Sequence, residues 1–163
     1  MSSRHSPYLA SDDRLADVIA AIQVMGTYHF YKLNFAEWAD RISGDRTKAG
    51  HWKHVFEQHP EFFRLDTERE KASLVWRRQH QKLFDVDKEE KITRDAYKQL
   101  SEEGKGRISR TPLQSGEITP LINTAINLHS RALERKQDTR WWVSGAVGLA
   151  GVLIGATLRA IVP

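Results

Sequence analysis

The segment Trp141–Leu158 constrains the chain most, because it contains no charged residue and therefore has no polar face to expose. A bilayer core about 30 Å thick needs about 20 apolar residues in a helix, and the segment reaches that length if Arg159 snorkels. Two tryptophans stand at its start, where aromatic rings favour the headgroup layer. A buried helix of a soluble core is the alternative. The sequence favours one transmembrane helix over residues 141–163.

Basic residues beside this segment predict its orientation. Arg131, Arg135, Lys136 and Arg140 precede it, whereas Arg159 alone follows it. Because positive charge is retained on the cytoplasmic side, we expect a tail-anchored, single-pass membrane protein with a cytoplasmic N-terminal domain and the lipid bilayer as one partner.

Small residues line one side of the predicted transmembrane helix. Ser144, Gly148, Gly151 and Gly155 recur at helical spacing, and the last two form a GxxxG pattern. Such a stripe lets two helix backbones approach closely. The stripe therefore indicates a possible homo-oligomer, formed through the transmembrane helix.

Composition narrows the chemistry of the remaining residues. The 163-residue chain contains no cysteine, which excludes disulfides, thiol catalysis and cysteine-based zinc sites. Its formal charge is +4, with 25 Lys and Arg against 21 Asp and Glu. Part of this excess lies beside the predicted membrane helix, so the charge is weak support for a nucleic-acid partner.

Three helices are predicted in the first third of the chain. Ser11 caps an amphipathic helix with apolar residues at helical spacing. Asn34 and Glu37 have the spacing of a capping box and begin a short second helix. Thr47 caps a third helix, which ends at His59-Pro60.

After the third helix, the spacing of apolar residues changes from the helical period to alternation with polar residues. Apolar and polar residues alternate over 63–66 and again over 74–77, and a charged turn separates the two runs. This pattern predicts a two-stranded β-hairpin. We expect Trp38 and Trp76 to share the core that the helices and the hairpin enclose.

This order of elements resembles the winged-helix superfamily, a variant of the helix-turn-helix proteins. The resemblance rests on the capped short second helix, the third helix ending at His59-Pro60 and the following FFRLDTEREKASLVWRR hairpin, and it covers residues 12–80. It implies a fold, but it does not decide between a protein-binding and a DNA-binding use.

The resemblance makes the exposed side of the third helix the candidate binding face, together with basic residues after the hairpin. These side chains can donate to base edges, phosphates or a protein partner. The predicted face comprises Thr47, Lys48, His51, Lys53, His54, Gln58, Arg77 and Arg78. Three acids in the turn at residues 66–71 would repel phosphate, so protein docking is favoured over DNA binding.

Catalytic and metal-binding patterns are weak in the sequence. His51, His54 and His59 lie near Glu57, but their spacing is not that of a zinc-binding helix. The sequence contains no phosphate-binding glycine loop and no nucleophile elbow. We therefore expect a non-enzymatic protein without a metal or cofactor.

The sequence as a whole predicts a mainly α fold, with a winged-helix-like domain that includes a small β-hairpin, then a helical stalk and one C-terminal transmembrane helix. The predicted segments are a flexible arm (1–10), the winged-helix-like domain (11–80), a connector with a short helix (81–117), an amphipathic stalk helix (118–140) and the anchor (141–163). The predicted function is an adaptor that recruits or senses a protein partner at the membrane. A membrane-tethered DNA-binding transcriptional regulator and a small oligomeric membrane effector are the alternatives.

Overall fold

The computed structural model describes residues 6–137, of which 58% are helical and 12% are in strands. The helices are α1 (Arg14–Thr27), α2 (Phe35–Ser43), α3 (Ala49–Gln58), α4 (Arg94–Gln99), α5 (Glu102–Gly106) and α6 over residues 115–137. The strands are β1 (Lys32–Asn34), β2 (Phe63–Leu65), β3 (Lys71–Leu74), β4 (Phe84–Asp85), β5 (Glu90–Lys91) and β6 (Ile108–Ser109). Because these strands form two small sheets, the fold is mixed, and the predicted mainly α class with one winged-helix hairpin is wrong.

The first sheet has three antiparallel strands in the order β1-β3-β2. Strand β2 lies in the first run of alternating residues, but the predicted second strand is misplaced: β3 ends where the run at 74–77 begins, and the second half of that run lies in a 3₁₀ turn at Trp76–Gln79. Strand β1 adds a third strand from a distant part of the chain. A strand of three residues is too short to show a period of two, which is why the sequence pattern predicts only the hairpin.

The second sheet lies in the segment after the hairpin. Its strand order is β5-β4-β6, and each strand is two residues long. Phe84 pairs with Ser109, so β6 returns after α4 and α5 to pair with the central strand β4. Arg107 stabilises the return by binding the carboxylate of Asp87 and lying 5.2 Å from the centre of the Phe30 ring.

The main core lies between α1, α2, α3 and the first sheet. Val18, Ile22 and Met25 of α1 are fully buried, as are Val55 and Phe56 of α3. Helix α1 therefore buries one continuous side, as its apolar spacing predicts.

Helix α2 begins as the sequence predicts. The Asn34 side chain accepts the N–H of Glu37 at 2.8 Å, and the Glu37 carboxylate accepts the N–H of Asn34 at 3.1 Å. This reciprocal pair confirms the capping box. It orients Trp38, which is fully buried and donates its indole N–H to the Ala72 carbonyl at 3.0 Å.

Helix α6 packs on the same core. Ile118, Ala125 and Ala132 are buried and lie seven residues apart, so they share one side of the helix. Helix α6 approaches α1 closely at Gly26, because a Cβ atom there would lie 3.3 Å from the Ile118 side chain. The N–H of Leu113 donates to the Gly26 carbonyl at 2.9 Å and fixes the entry into α6.

The predicted transmembrane helix and the single-pass membrane localisation are contradicted, since no helix within residues 6–137 combines the length and apolar character needed to cross a bilayer. Helix α6 is long, but it alternates buried apolar residues with exposed Arg131 and Glu134. The predicted anchor at residues 141–163, with Ser144, Gly148, Gly151 and Gly155, lies outside the described residues.

The two tryptophans test this core. Trp38 is fully buried as predicted, whereas the prediction for Trp76 is wrong, because 43% of it is exposed. Trp38→Ala should lower the free energy of unfolding by about 3–5 kcal/mol, because it leaves a cavity and an unpaired carbonyl. Trp76→Ala is the matched control and should cost about 1 kcal/mol or less. Chemical denaturation followed by circular dichroism measures both, and equal losses would contradict this placement.

Candidate functional site

A pocket of about 430 Å³ opens on the outer face of the first sheet. We call it the sheet groove. Its charged lining residues are Lys32, Arg64, Asp66, Arg78 and Arg110, and its other lining residues are Tyr31, Leu65, Thr67 and Ser73. Four cations against one carboxylate make this groove strongly basic.

The register of the sheet builds the floor of the sheet groove. Lys32 pairs with Ser73 on one side, and Arg64 pairs with Ser73 on the other. Paired residues on adjacent strands project to the same face, so these three side chains form one row across the sheet. Ser73 has the small side chain at the centre, which leaves room between the two cations.

The turn between β2 and β3 forms one end of the sheet groove. The Asp66 carboxylate accepts the backbone N–H groups of Glu70 at 3.0 Å and Lys71 at 3.1 Å, and it lies 3.6 Å from the Lys32 ammonium. The N–H of Lys71 contributes most to holding the pKa of Asp66 below its usual value. Asp66 is therefore an ionised turn residue that fixes Lys32 at the edge of the groove.

Arg110 forms a rigid wall at another side. Its guanidinium lies 5.0 Å from the centre of the Tyr31 ring, a cation–π distance, and donates to the Arg78 carbonyl at 2.6 Å and to the His80 carbonyl. Both hydrogen bonds come from Nη1 and hold the side chain against the backbone. Arg110 therefore contributes a fixed positive charge to the groove.

Arg64 and Arg78 are the free cations of the sheet groove. Both residues are exposed, and neither guanidinium forms a hydrogen bond or an ion pair with another residue of the described range 6–137. A guanidinium carries five N–H donors in a planar fork that matches carboxylate and phosphate oxygens. These two side chains are thus available to an anionic ligand.

Arg77, a predicted binding residue, lies in the interior instead. It is fully buried, and its guanidinium donates to the carbonyls of Met25 at 3.0 Å, His29 at 3.2 Å, Tyr28 and Arg110. Burial, with a smaller effect of the Arg110 charge, lowers the pKa of Arg77 to about 10. Arg77 is still protonated at neutral pH, and it stabilises the fold rather than contacting a partner.

The predicted face of α3 is separate from the sheet groove, since no lining residue comes from α3. Lys48, His51 and His54 are exposed, as is Thr47, whereas Lys53 and Gln58 are half-buried. Several of these side chains have structural contacts. Thr47 donates to the Asp45 carboxylate, His51 Nε2 lies 3.1 Å from an Asp17 carboxylate oxygen, and the Lys53 ammonium lies 5.6 Å from the Phe35 ring centre. Of the predicted residues, the structure brings only Arg78 into the groove.

A polar cluster surrounds His59, which is fully buried. Its Nδ1 atom lies 3.0 Å from the Glu61 carboxylate, which also accepts the Tyr8 hydroxyl at 3.0 Å. This cluster links the 3₁₀ turn Pro7–Leu9 to the end of α3. Within the described range, no group of three or more His, Asp or Glu side chains is arranged to hold a metal ion.

Sequence reasoning missed Lys32, Arg64 and Arg110 as candidate binding residues. The alternating pattern does place Arg64 on the outer face of its strand. Lys32 and Arg110 come close to Arg64 only because β1 and the segment after β6 pack beside it. Strands β1 and β6 are too short to show a period in the sequence.

Comparison of the chain with protein families, with curated proteins and with solved structures gives no match. The resemblance to the winged-helix superfamily stays a prediction.

The neighbouring residues Arg77 and Arg78 offer a direct test of these assignments. Arg77→Ala should lower the free energy of unfolding by about 3–5 kcal/mol, because several carbonyls lose a charged donor in the interior. Arg78→Ala should change it by about 0.5 kcal/mol or less, because its side chain is exposed. Thermal and urea unfolding of both variants measure the difference. A stable Arg77→Ala protein would contradict the buried role of Arg77.

Proposed function

We propose that residues 6–137 form a binding module that holds an anionic segment of a protein partner in the sheet groove. The observation that carries the proposal is the pair of free guanidinium groups, Arg64 and Arg78, in one basic pocket. Charge complementarity of this kind gives a binding surface its specificity and accelerates association.

The shape of the sheet groove supports a segment of chain as the ligand. Its volume of about 430 Å³ lies within the ordinary range of ligand-binding clefts. The exposed side chains Arg64, Thr67 and Arg78 leave it open to solvent. An open cleft on a sheet face admits an extended peptide without any movement of the fold.

The chemistry of the lining supports binding rather than catalysis. The lining residues include no histidine, the side chain that most often transfers protons near neutral pH. Their one carboxylate, Asp66, accepts two backbone N–H groups in the turn and is ionised. The groove thus offers mainly fixed positive charge, which suits binding of an anion.

Duplex DNA fits the surface less well than a peptide does. Asp66, Glu68 and Glu70 lie in the turn at the end of the sheet groove, and they would face the next phosphates of a long polyanion. The lysines of α3 are not part of the groove. A short anionic segment can contact the cations and avoid the acids.

Charge reversal in the full chain tests this proposal. Arg64→Glu and Arg78→Glu should each weaken binding of a fluorescein-labelled hexaglutamate peptide by about tenfold or more, because each replaces an attraction by a repulsion. Fluorescence anisotropy measures the dissociation constants. Arg94→Glu changes the net charge equally at an exposed site outside the groove, and it should leave binding unchanged.

A labelled DNA duplex serves as the competing ligand in the same assay. We expect weak binding that salt abolishes and that the two groove variants scarcely alter. If both groove variants bind the peptide with the affinity of the unchanged protein, or if Arg94→Glu weakens binding equally, the groove is not the binding site.

A further inference from the structure

We infer that the anion held in the sheet groove is the phosphate monoester of a phosphorylated serine or threonine on the partner. The inference rests on the proposed function and names the chemical group that the groove recognises.

The uncompensated charge of the groove favours a dianion. Arg64 and Arg78 have no partner within residues 6–137, Lys32 lies beside Asp66, and Arg110 adds a positive charge that its carbonyl partners do not neutralise. A phosphate monoester carries a charge of about −1.5 to −2 at pH 7, whereas a carboxylate carries one negative charge. A single carboxylate would leave one of the two guanidinium groups without a counter-charge.

The donors also reach the sheet groove from different elements. Arg64 projects from β2, Lys32 from β1 and Arg78 from the 3₁₀ turn at Trp76–Gln79. A planar carboxylate is satisfied by one guanidinium fork, whereas the three terminal oxygens of a phosphate point in different directions. Donors on separate elements suit the tetrahedral group better.

Lys32 completes the site without competing for the ligand. Its ammonium is 3.6 Å from the Asp66 carboxylate, a loose contact that leaves its three N–H donors partly unused. Because Asp66 is fixed by the backbone of the turn, Lys32 stays at the edge of the groove. It can donate to a phosphate oxygen while it remains beside Asp66.

The lining distinguishes among the groups that carry phosphate. Leu65 is half-buried and the Tyr31 ring is covered by Arg110, so the groove offers little free apolar surface for the ring of a phosphotyrosine. A phosphodiester of nucleic acid has one charge and two free oxygens, and its neighbouring phosphates would meet the acidic turn. The short aliphatic side chains of phosphoserine and phosphothreonine avoid both difficulties.

Three matched peptides test the inference with the full chain. They have one sequence of glycine and alanine around a central serine, phosphoserine or glutamate, and each carries a fluorescein label. We expect the phosphoserine peptide to bind about tenfold or more tightly than the glutamate peptide, and the serine peptide not to bind. Arg64→Gln and Arg78→Gln should each reduce the preference for phosphoserine, whereas Arg94→Gln should preserve it.

The pH dependence supplies a second readout that folding defects do not mimic. The phosphate loses its second charge between about pH 7.5 and about pH 5, so binding of the phosphoserine peptide should weaken about tenfold over that range. The charged and titratable groups that face it are Lys32, Arg64, Arg78, Arg110, Asp66 and Tyr31, and no histidine is among the lining residues. Binding of hexaglutamate should change less, because glutamate side chains titrate mainly below pH 5, with an ordinary pKa of about 4.3.

The outcomes separate the two proposals. Equal affinity for the phosphoserine and glutamate peptides, with both lost in the arginine variants, would overturn the phosphate inference and support the proposed function. Failure of the phosphoserine, glutamate and hexaglutamate peptides to bind would overturn both. Tighter binding of a DNA duplex, weakened by the same arginine variants, would overturn the peptide assignment in favour of nucleic acid.

Discussion

The buried guanidinium of Arg77 is the interaction on which the rest of the structure depends. Met25 and Tyr28 lie at the end of α1, where helix carbonyls lack partners within the helix, and Arg77 donates to both. The same group donates to the Arg110 carbonyl, which follows β6. One cation therefore joins the first helix, the first sheet and the return from the second sheet. It also fixes the backbone of Arg110, whose side chain forms the wall of the sheet groove.

Local sequence patterns predict those helices and strands that are long enough for the spacing of their apolar residues to repeat. The capping box of Asn34 and Glu37 is present, and β2 lies in the first alternating run, whereas β3 begins within the residues predicted as the turn. The starts of two helices differ. Helix α1 begins after Asp13 rather than at Ser11, and Asp45 caps a 3₁₀ turn that contains Thr47 before α3 begins. Several polar residues in a row could each act as a cap, and tertiary packing decides among them.

The sheet groove could be predicted only in part. Arg77 and Arg78 are adjacent and chemically identical, yet one is buried and the other is exposed, because the 3₁₀ turn directs consecutive side chains apart. Sequence periodicity cannot choose between them. Lys32 reaches Arg64 through the pairing of β1 with β3, which is a long-range contact without a local signal. The second sheet has no local signal for the same reason, since its strands are two residues long.

The contact between Gly26 and Ile118 has an evolutionary consequence. A glycine near the end of a helix ordinarily marks the place where the helix stops, but Gly26 lies within α1 and has an ordinary helical backbone. Its missing side chain makes space for α6, which passes over it about ninety positions later in the chain. A larger residue at position 26 would press on the Ile118 side chain, so it favours a smaller residue at position 118. Among descendants of this chain, the two positions should therefore change together, although neither lies in the sheet groove.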